Sequence, residues 1–446
     1  MSGGVYEKPW EQGELRVTDN GRYFCNGDRP FFWLADTAWL LFHKLTLEES
    51  ENYLRNRKEL GFNIILVDFI HGGQQKNQAG QAALTEDDLA RPAADSGFWQ
   101  HVDRVIAIAE RLGLYMGILP VWGSSIVKSG SLNMGNVDAY MDFVLDRYHS
   151  APNLIWIVGG DVRGDVAPEV FCRMGQRMKA DNANRLVGYH PFGRTTSAFW
   201  FHQEAWLDFN LFQSGHRRYD QKNLGSWDDN NEREGWFGED NWRYVERDRG
   251  RTPIKPVLDG EPSYEGIPQG LHDSTQPYWK AADVRRYAYW SVLAGAAGHT
   301  YGHNAVMQFY GDLSKKGAYG VKFLWTDAIH HPGGSQMAFL KALMESVDYV
   351  NGRPAQEYLL CEPGEKYDRI QVFAGEDFLI AYTYTVREIR LSLKAYEGKT
   401  LAAYWMDPVT GRFSFIRKVC GSSGDFTATP PVREDGEDMA LLLRAE

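Results

Sequence analysis

Two carboxylates in this sequence stand where they could break a bond together. Asp161 follows Gly159-Gly160, and Glu261 follows Gly260. Glycoside hydrolysis needs such a pair flanking the scissile bond: one group protonates the leaving oxygen, the other attacks the anomeric carbon or activates water. Glycine ahead of each lets the backbone bend toward a pocket without a Cβ clash. The competing reading is structural, with Asp161 as a helix cap and Glu261 as a surface turn residue. Asp36, Asp165, Asp259 and Glu265 are rival carboxylates. Asp36 could hold a sugar hydroxyl or pair with a base, whereas Asp165 and Glu265 fall in loops.

Four histidines, His71, His190, His216 and His303, could converge with these acids as in a zinc hydrolase. None shows HxH or HExxH spacing, so no metal is expected. Donating to a substrate hydroxyl or orienting a carboxylate is the expected role. Trp122 is the candidate sugar platform, while Trp39, Trp122 and Trp290 also suit a core. Asp36, Trp39, His71, Trp122, His190, Gln213, His216, Tyr264, Tyr301 and His303 form the candidate substrate-binding set. No phosphate-cradling GxGxxG or GxxxxGKS stands where a strand would end, so no cofactor is expected; GxSxG is absent too.

These residues close eight short apolar runs: Phe31–Trp39, Asn63–Ile70, Tyr115–Trp122, Leu154–Val162, Arg185–Phe192, Phe209–Gly215, Lys255–Pro262 and Gly298–Asn304. The runs alternate with amphipathic stretches, the pattern of repeated βα units. Eight units predict an α/β protein with a (β/α)8 TIM barrel, whose chemistry sits at the C-terminal strand ends. The spacing predicts helices over Phe98–Leu112, Val137–Tyr148, Ala167–Ala180, Ala281–Ala297 and Gln336–Tyr349. Another opens at the capping box Thr46-Leu-Glu-Glu49 and closes at Gly61. Gly72–Gly97 and His216–Arg251, the latter with Trp227, Trp236 and Trp242, read as long loops that shape the mouth.

Beyond about residue 350 the pattern alternates as strands do, at Arg369–Ala374, Phe378–Tyr384, Ile389–Ala395, Thr400–Met406, Phe413–Lys418 and Met439–Arg444. Asp407–Gly411 reads as a hairpin turn. The chain therefore divides into a catalytic barrel, 1–350, and an antiparallel β-sandwich accessory domain, 351–446, on which the residues before Leu15 are expected to pack.

Composition narrows the partners. The 446 residues are 43% hydrophobic and 24% charged, which is globular. A net charge of −11 repels polyanions, so no nucleic acid partner is expected. The 4 cysteines are scattered and suggest neither a disulfide scaffold nor a metal pair. No apolar run approaches the ~18 residues that span a bilayer, so no membrane is expected. MSGGVYEKPW lacks the features of a signal peptide. The protein reads as soluble: cytoplasmic as it stands, periplasmic or secreted if an export signal has been removed.

Several motifs in order carry a likeness. Leu34-Ala-Asp-Thr-Ala-Trp39, Gly61-Phe-Asn63, Gly159-Gly-Asp161, Gln213-Ser-Gly-His216, Gly260-Glu-Pro-Ser-Tyr264 and Tyr301-Gly-His303 resemble the apiosidase-like family, glycoside hydrolase family 140. Asp407-Pro-Val-Thr-Gly411 and Glu437-Asp-Met-Ala-Leu-Leu-Leu443 resemble its small collagen-binding-type β domain. The likeness runs from about Leu15 to Leu443. It implies Asp161 as general acid/base, Glu261 as nucleophile, and exo-acting release of apiose from plant polysaccharide side chains or glycosides with retention. Two departures stand out. The wider clan usually places Asn-Glu where this chain has Gly160-Asp161, and a Trp expected near Met307 to wall the pocket is absent. The alternatives are another retaining barrel glycosidase (arabinofuranosidase, β-glucosidase or endoglucanase-like), a metal-dependent hydrolase, and a non-catalytic carbohydrate-binding barrel. For the tail, an interdomain brace is the simpler role, since nothing in the sequence supports collagen binding.

Overall fold

The computed structural model describes residues 6–72, 75–127, 129–221, 238–431 and 438–446. Eight parallel strands carry the site: β1 Trp33–Thr37, β2 Ile64–Asp68, β3 Tyr115–Leu119, β4 Leu154–Gly159, β5 Val187–His190, β6 Asn210–Phe212, β7 Val257–Asp259 and β8 Gly298–Tyr301. Six form one sheet in the order β5-β4-β3-β2-β1-β8, and β6 pairs with β7. Single backbone hydrogen bonds link the two sheets at both ends: Asp208 N–H donates to Val187 O and Ala297 N–H to Val257 O, each at 2.9 Å. Nearly every residue of these strands is buried, because a parallel sheet is covered on both faces and reads as an unbroken apolar run.

Among the described residues, the longer helices pack outside: α1 Leu47–Glu59, α2 Gly97–Arg111, α3 Val137–Tyr148, α4 Pro168–Asp181, α5 Asn241–Arg249, α6 Ala281–Leu293 and α7 Pro332–Glu345. The capping box that opens α1 is formed in both directions, Glu49 N–H to Thr46 Oγ1 at 3.2 Å and Thr46 N–H to Glu49 Oε2 at 2.8 Å. α6 is shorter than its apolar pattern suggests. Gly295, at φ +100°, turns the chain before Ala296 and Ala297 can extend the helix. α7 starts and ends earlier than expected, because Pro332 occupies its first turn.

Three further expectations need correction. Gly72–Gly97 is not bare loop: Leu84–Thr85 pairs with Asp88–Pro92 through a turn at Glu86 and Asp87, both near φ +55°. Of the second long loop, residues 222–237 with Trp227 and Trp236 lie outside the described residues, and the rest includes helix α5. The described residues before Leu15, 6–14, pack on the barrel rather than on the tail. Lys8 pairs with Glu110 at 3.0 Å, and Trp10 sits edge-on to Tyr115 at 5.2 Å. A small antiparallel sheet follows (Leu15–Val17, Phe24–Asn26, Arg29–Phe31) whose Phe24 contacts Trp33 and Phe209 and so plugs the N-terminal end of the barrel strands.

The tail is a six-stranded antiparallel sheet (Arg353–Pro354, Ile370–Ala374, Phe378–Thr383, Met439–Ala445, Thr400–Met406, Phe413–Cys420, in that spatial order) and a two-stranded one, Ile389–Ser392 with Asp425–Ala428. The hairpin at Asp407 forms as expected, with Gly411 N–H to Asp407 O at 2.8 Å. Side chains alternate across the large sheet. Ile380, Tyr382, Ala440 and Leu442 join the barrel's core, whereas Leu379, Ala381, Leu441 and Leu443 build a core of the tail's own. Helix α6 is caught between barrel and tail and is buried almost all round. Its Arg285 reaches across to Asp438, with Nη2 2.6 Å from Oδ1. Tyr382 OH donates to the same carboxylate at 2.7 Å. No described helix is long and apolar enough to cross a membrane.

Candidate active site

The C-terminal end of β4 is a sharp bend. Gly159, Gly160 and Asp161 take φ values of +88°, +114° and +53°. A Cβ on Gly159 would stand 2.5 Å from His190 O, and one on Gly160 2.9 Å from Gly123 N, so neither position admits another residue without displacing backbone. The bend carries Asp161 over the end of β5, with its N–H 3.3 Å from His190 Nδ1.

Glu261 arrives from β7. Gly260 N–H donates to Phe212 O at 2.8 Å, and the N–H groups of Ser214 and Gly215 donate to Glu261 O at 3.1 and 3.0 Å. These bonds clip the ends of β6 and β7 together. Gly215 leaves no room for a side chain, since its Cβ would meet Pro262 O at 2.6 Å. His216 follows directly. Beneath the clip, Asp259 accepts from Ser214 Oγ at 2.5 Å and Asn241 Nδ2 at 3.0 Å. Burial pushes its carboxyl up to about 7 in spite of those donors.

Two imidazoles grip Glu261. His190 Nε2 lies 3.2 Å from Oε2, and His216 Nε2 lies 3.0 Å from Oε1. The other nitrogen of each ring faces a backbone donor: His190 Nδ1 faces Asp161 N–H, and His216 Nδ1 faces Tyr264 N–H, both at 3.3 Å. A nitrogen that accepts carries no proton. Each ring therefore holds its proton on Nε2 and aims it at Glu261. Burial alone would raise the Glu261 carboxyl; the two imidazole donors outweigh it and hold the group well below its ordinary range. Glu261 is thus ionised at neutral pH, with its side chain only 12% exposed.

An aromatic wall adjoins the pair. The Trp122 ring lies 5.0 Å from both Trp39 and His71 and 5.8 Å from His190. His71 Nδ1 is 2.8 Å from Oδ2 of the buried Asp68, whose other oxygen faces His43. Burial lowers the His71 imidazole, but Asp68 outweighs it and the net shift is upward.

A carboxylate kept ionised between two imidazoles, with a second acidic residue at the neighbouring strand end and an aromatic wall beside them, is equipment for acetal chemistry. The family model described as "Apiosidase-like, catalytic domain" matches residues 18–351. The chain belongs to the apiosidase-like glycoside hydrolase family. It is an O-glycosyl hydrolase. A solved structure called "Glycoside hydrolase" is 40% identical with a TM-score of 0.93, covering 98% of each chain. A glycoside hydrolase family 5 structure from Bacteroides vulgatus is 37% identical with a TM-score of 0.91, covering 99% of this chain and 95% of that one. A second Bacteroides vulgatus structure, titled "putative glycoside hydrolase", at 14% identity and a TM-score of 0.67, covering 98% of this chain and 83% of its own, shares the fold. The tail, residues 353–444, matches the model described as "Putative collagen-binding domain of a collagenase". Among curated proteins nothing matches.

In this apiosidase-like chain the structure sorts the candidates. Asp161, Glu261, His190, His216, Trp122, Trp39 and His71 form one connected group. Tyr264 stands behind them, its ring edge-on to His216 at 4.9 Å and only 1% exposed. Gln213 is buried, bonded through its backbone to Thr195 and Arg194. Three candidates turn out to be structural. Asp36 is wholly buried, with Oδ2 accepting from Tyr53 OH and Arg57 Nε, each at 2.6 Å, so it cannot meet a sugar. Tyr301 spends its hydroxyl on Glu265 at 2.6 Å. His303 accepts from Ala305 N–H at 3.1 Å and lies 2.9 Å from His331 through Nε2. The four histidines therefore do not converge, and among the described residues no group of three or more His, Cys, Asp or Glu could hold a metal ion. Of the rival acids, Asp165 pairs outward with Arg163 at 2.7 Å.

Sequence reasoning missed Asp68, whose place three residues before His71 on the same strand end was a usable signal.

Proposed function

We propose that the enzyme removes a terminal sugar by a retaining double displacement, and that the sugar is apiose borne on a plant polysaccharide side chain or glycoside. Glu261 attacks the anomeric carbon as the bond to the leaving oxygen breaks and Asp161 protonates that oxygen. A glycosyl-enzyme forms. Water then attacks the anomeric carbon, giving its proton to Asp161, and Glu261 leaves as the carboxylate.

The observation that carries this reading is the pair of imidazoles at Glu261, His216 donating from Nε2 and His190 Nε2 standing 3.2 Å away. Donors that favour the ionised form make a carboxylate a poor acceptor of water's proton and a good leaving group. That suits a nucleophile in retention better than a base in inversion. His71 and Trp122 would hold the sugar, while His190 and His216 hold Glu261. The family match supports the substrate class and the 37–40% identical glycoside hydrolases support the chemistry. We read the linked parallel sheets as one closed (β/α)8 barrel, residues 1–350, and the tail, 351–446, as a sandwich-like domain that braces it.

The test is a panel of aryl glycosides, apioside and arabinofuranoside included, with wild type, Asp161→Asn and Glu261→Gln. Proton NMR of the first anomer released reads the stereochemistry. Both variants are expected to lose at least ~10³-fold in kcat/KM. Asp161→Asn should lose least on the best leaving group, which needs no protonation. Cleavage of another sugar with both variants inactive would keep the mechanism and replace the substrate. Full activity of Glu261→Gln would remove the mechanism.

A further inference from the structure

We propose that Asp68 is a positioning residue of this site: through its bond to His71 it turns one imidazole nitrogen, Nε2, toward the pocket beside Trp122, where that nitrogen meets a hydroxyl of the bound sugar. The inference rests on the reading of Asp161 and Glu261 as the reacting pair.

The strand ends come first. Three backbone bonds clip β1, β2 and β3 together at the mouth: Asp68 N–H donates to Trp39 O at 3.3 Å, Phe69 N–H to Leu119 O at 3.0 Å, and Trp122 N–H to Ile70 O at 2.8 Å. They bring Trp39, His71 and Trp122 to one place. The Trp122 ring lies 5.0 Å from the rings of Trp39 and His71. Trp39 and Trp122 in turn lie 5.3 and 5.8 Å from the His190 ring, whose Nε2 is 3.2 Å from Glu261. His71 is therefore built into the wall beside the nucleophile. Asp68 closes β2 among Ile64, Ile65, Leu66, Val67, Phe69 and Ile70, all wholly buried. The strand by itself has no use for an acid in that run, because a buried carboxylate costs free energy unless it is paired.

The side chains come second. Asp68 Oδ2 is 2.8 Å from His71 Nδ1, and Oδ1 is 3.5 Å from His43 Nε2. Burial would raise the Asp68 carboxyl, but His71 and His43 outweigh it and the net shift is downward. An ionised carboxylate only accepts, so His71 Nδ1 carries a proton. A carboxylate behind a histidine in this way fixes both its tautomer and the orientation of its ring. His71 is 28% exposed, and its Nδ1 edge is turned into a wholly buried group, so the open edge is the one that carries Nε2. Among the described residues that nitrogen has no hydrogen-bond partner. Neutral, it offers a lone pair to a sugar O–H; protonated, it offers N–H to a sugar oxygen. His43 has no such freedom. Its side chain is wholly buried, with Nδ1 3.3 Å from Lys76 O. The set-up is the reverse of His190 and His216, whose Nδ1 atoms face backbone N–H groups and whose Nε2 atoms face Glu261.

The experiment has a spectroscopic and a kinetic arm. Nitrogen-15 correlation spectra of the wild-type imidazoles, assigned with His71→Phe, should show a proton on His71 Nδ1; a bare Nδ1 refutes the proposal. Then kcat and KM are measured for Asp68→Asn, His71→Phe, the double variant and Glu261→Gln, on whichever aryl glycoside wild type cleaves fastest and below the melting temperature of each. His71→Phe keeps a ring against Trp122 and should lose about 10–100-fold in kcat/KM. Asp68→Asn should lose about 10-fold or more. In the His71→Phe background the same substitution should cost less than about two-fold, because the ring it acts through is gone. A full further loss in that background would show that Asp68 serves His43 or the fold, and overturns the proposal. The spectrum and His71→Phe decide the matter even if Asp68→Asn does not fold. If His71→Phe stays within about two-fold of wild type while Glu261→Gln is dead, this inference falls and the carboxylate reading survives. If Glu261→Gln stays active, the underlying reading falls and this inference with it.

Discussion

A carboxylate flanked by two imidazoles is held as an anion by them, and the cost of removing one is readable in pH. His216→Phe removes the donor at Oε1 and leaves Glu261 buried with His190 alone. Desolvation then counts for more, the Glu261 pKa rises, and the acidic limb of kcat/KM moves to higher pH, by about 1 unit or more. A pH–rate profile of wild type and variant checks this; an acid limb that stays put would show that Glu261 does not report on activity. The same bond geometry explains why the histidines were only half legible. Residue type and position at a strand end marked His190 and His216, but His303 carries the same marks and serves as a helix cap. The difference lies in what faces each Nε2, Glu261 for His190 and His216 but His331 for His303, which depends on neighbours far along the chain.

At the scale of elements, the bend after β4 decides where Asp161 goes. Gly160→Ala would force a Cβ to 2.9 Å from Gly123 N at φ +114°. The expected loss is about 1–3 kcal/mol of stability, by urea unfolding, together with at least a ~10-fold fall in kcat as Asp161 shifts. Gly398→Ala is the control, because its φ is +82° but nothing lies within 4 Å of the added Cβ. It should cost about 1 kcal/mol and leave kcat unchanged. Element identity was the most legible layer. Apolar runs gave the eight barrel strands, and α3 falls over Val137–Tyr148 as the periodicity requires. Boundaries slipped where a single glycine or proline overrode the pattern, as at Gly295 and Pro332.

At the scale of the molecule, barrel and tail share a core through α6. Arg285 is buried at 1% exposure and its partner Asp438 at 0%. Removing one member of a buried pair leaves a charge without compensation, so Asp438→Asn should cost about 3–5 kcal/mol. Because apolar residues of both parts join one cluster, calorimetry should show a single transition at lower temperature rather than separate melting of the tail. Two resolved transitions would show that the tail folds independently. The tail also reaches the mouth loop: buried Glu239 meets Arg286 of α6 at 2.5 Å and Tyr367 of the tail at 2.6 Å. Bracing is therefore visible in side chains that no local pattern connects.

What the sequence determined by itself was periodicity and chemistry in short range: eight apolar runs, a capping box, a hairpin turn, and glycines set before two acids. Those signals are local, since each depends on residues a few positions apart. The tertiary structure alone decided which polar groups face water and substrate and which face one another. Asp36 and Glu261 both end barrel strands as carboxylates. One is neutralised by Arg57 in the interior, the other is poised by His190 and His216 at the mouth. Partners 21 to 71 positions away made that choice, and only folding brings them within hydrogen-bond reach.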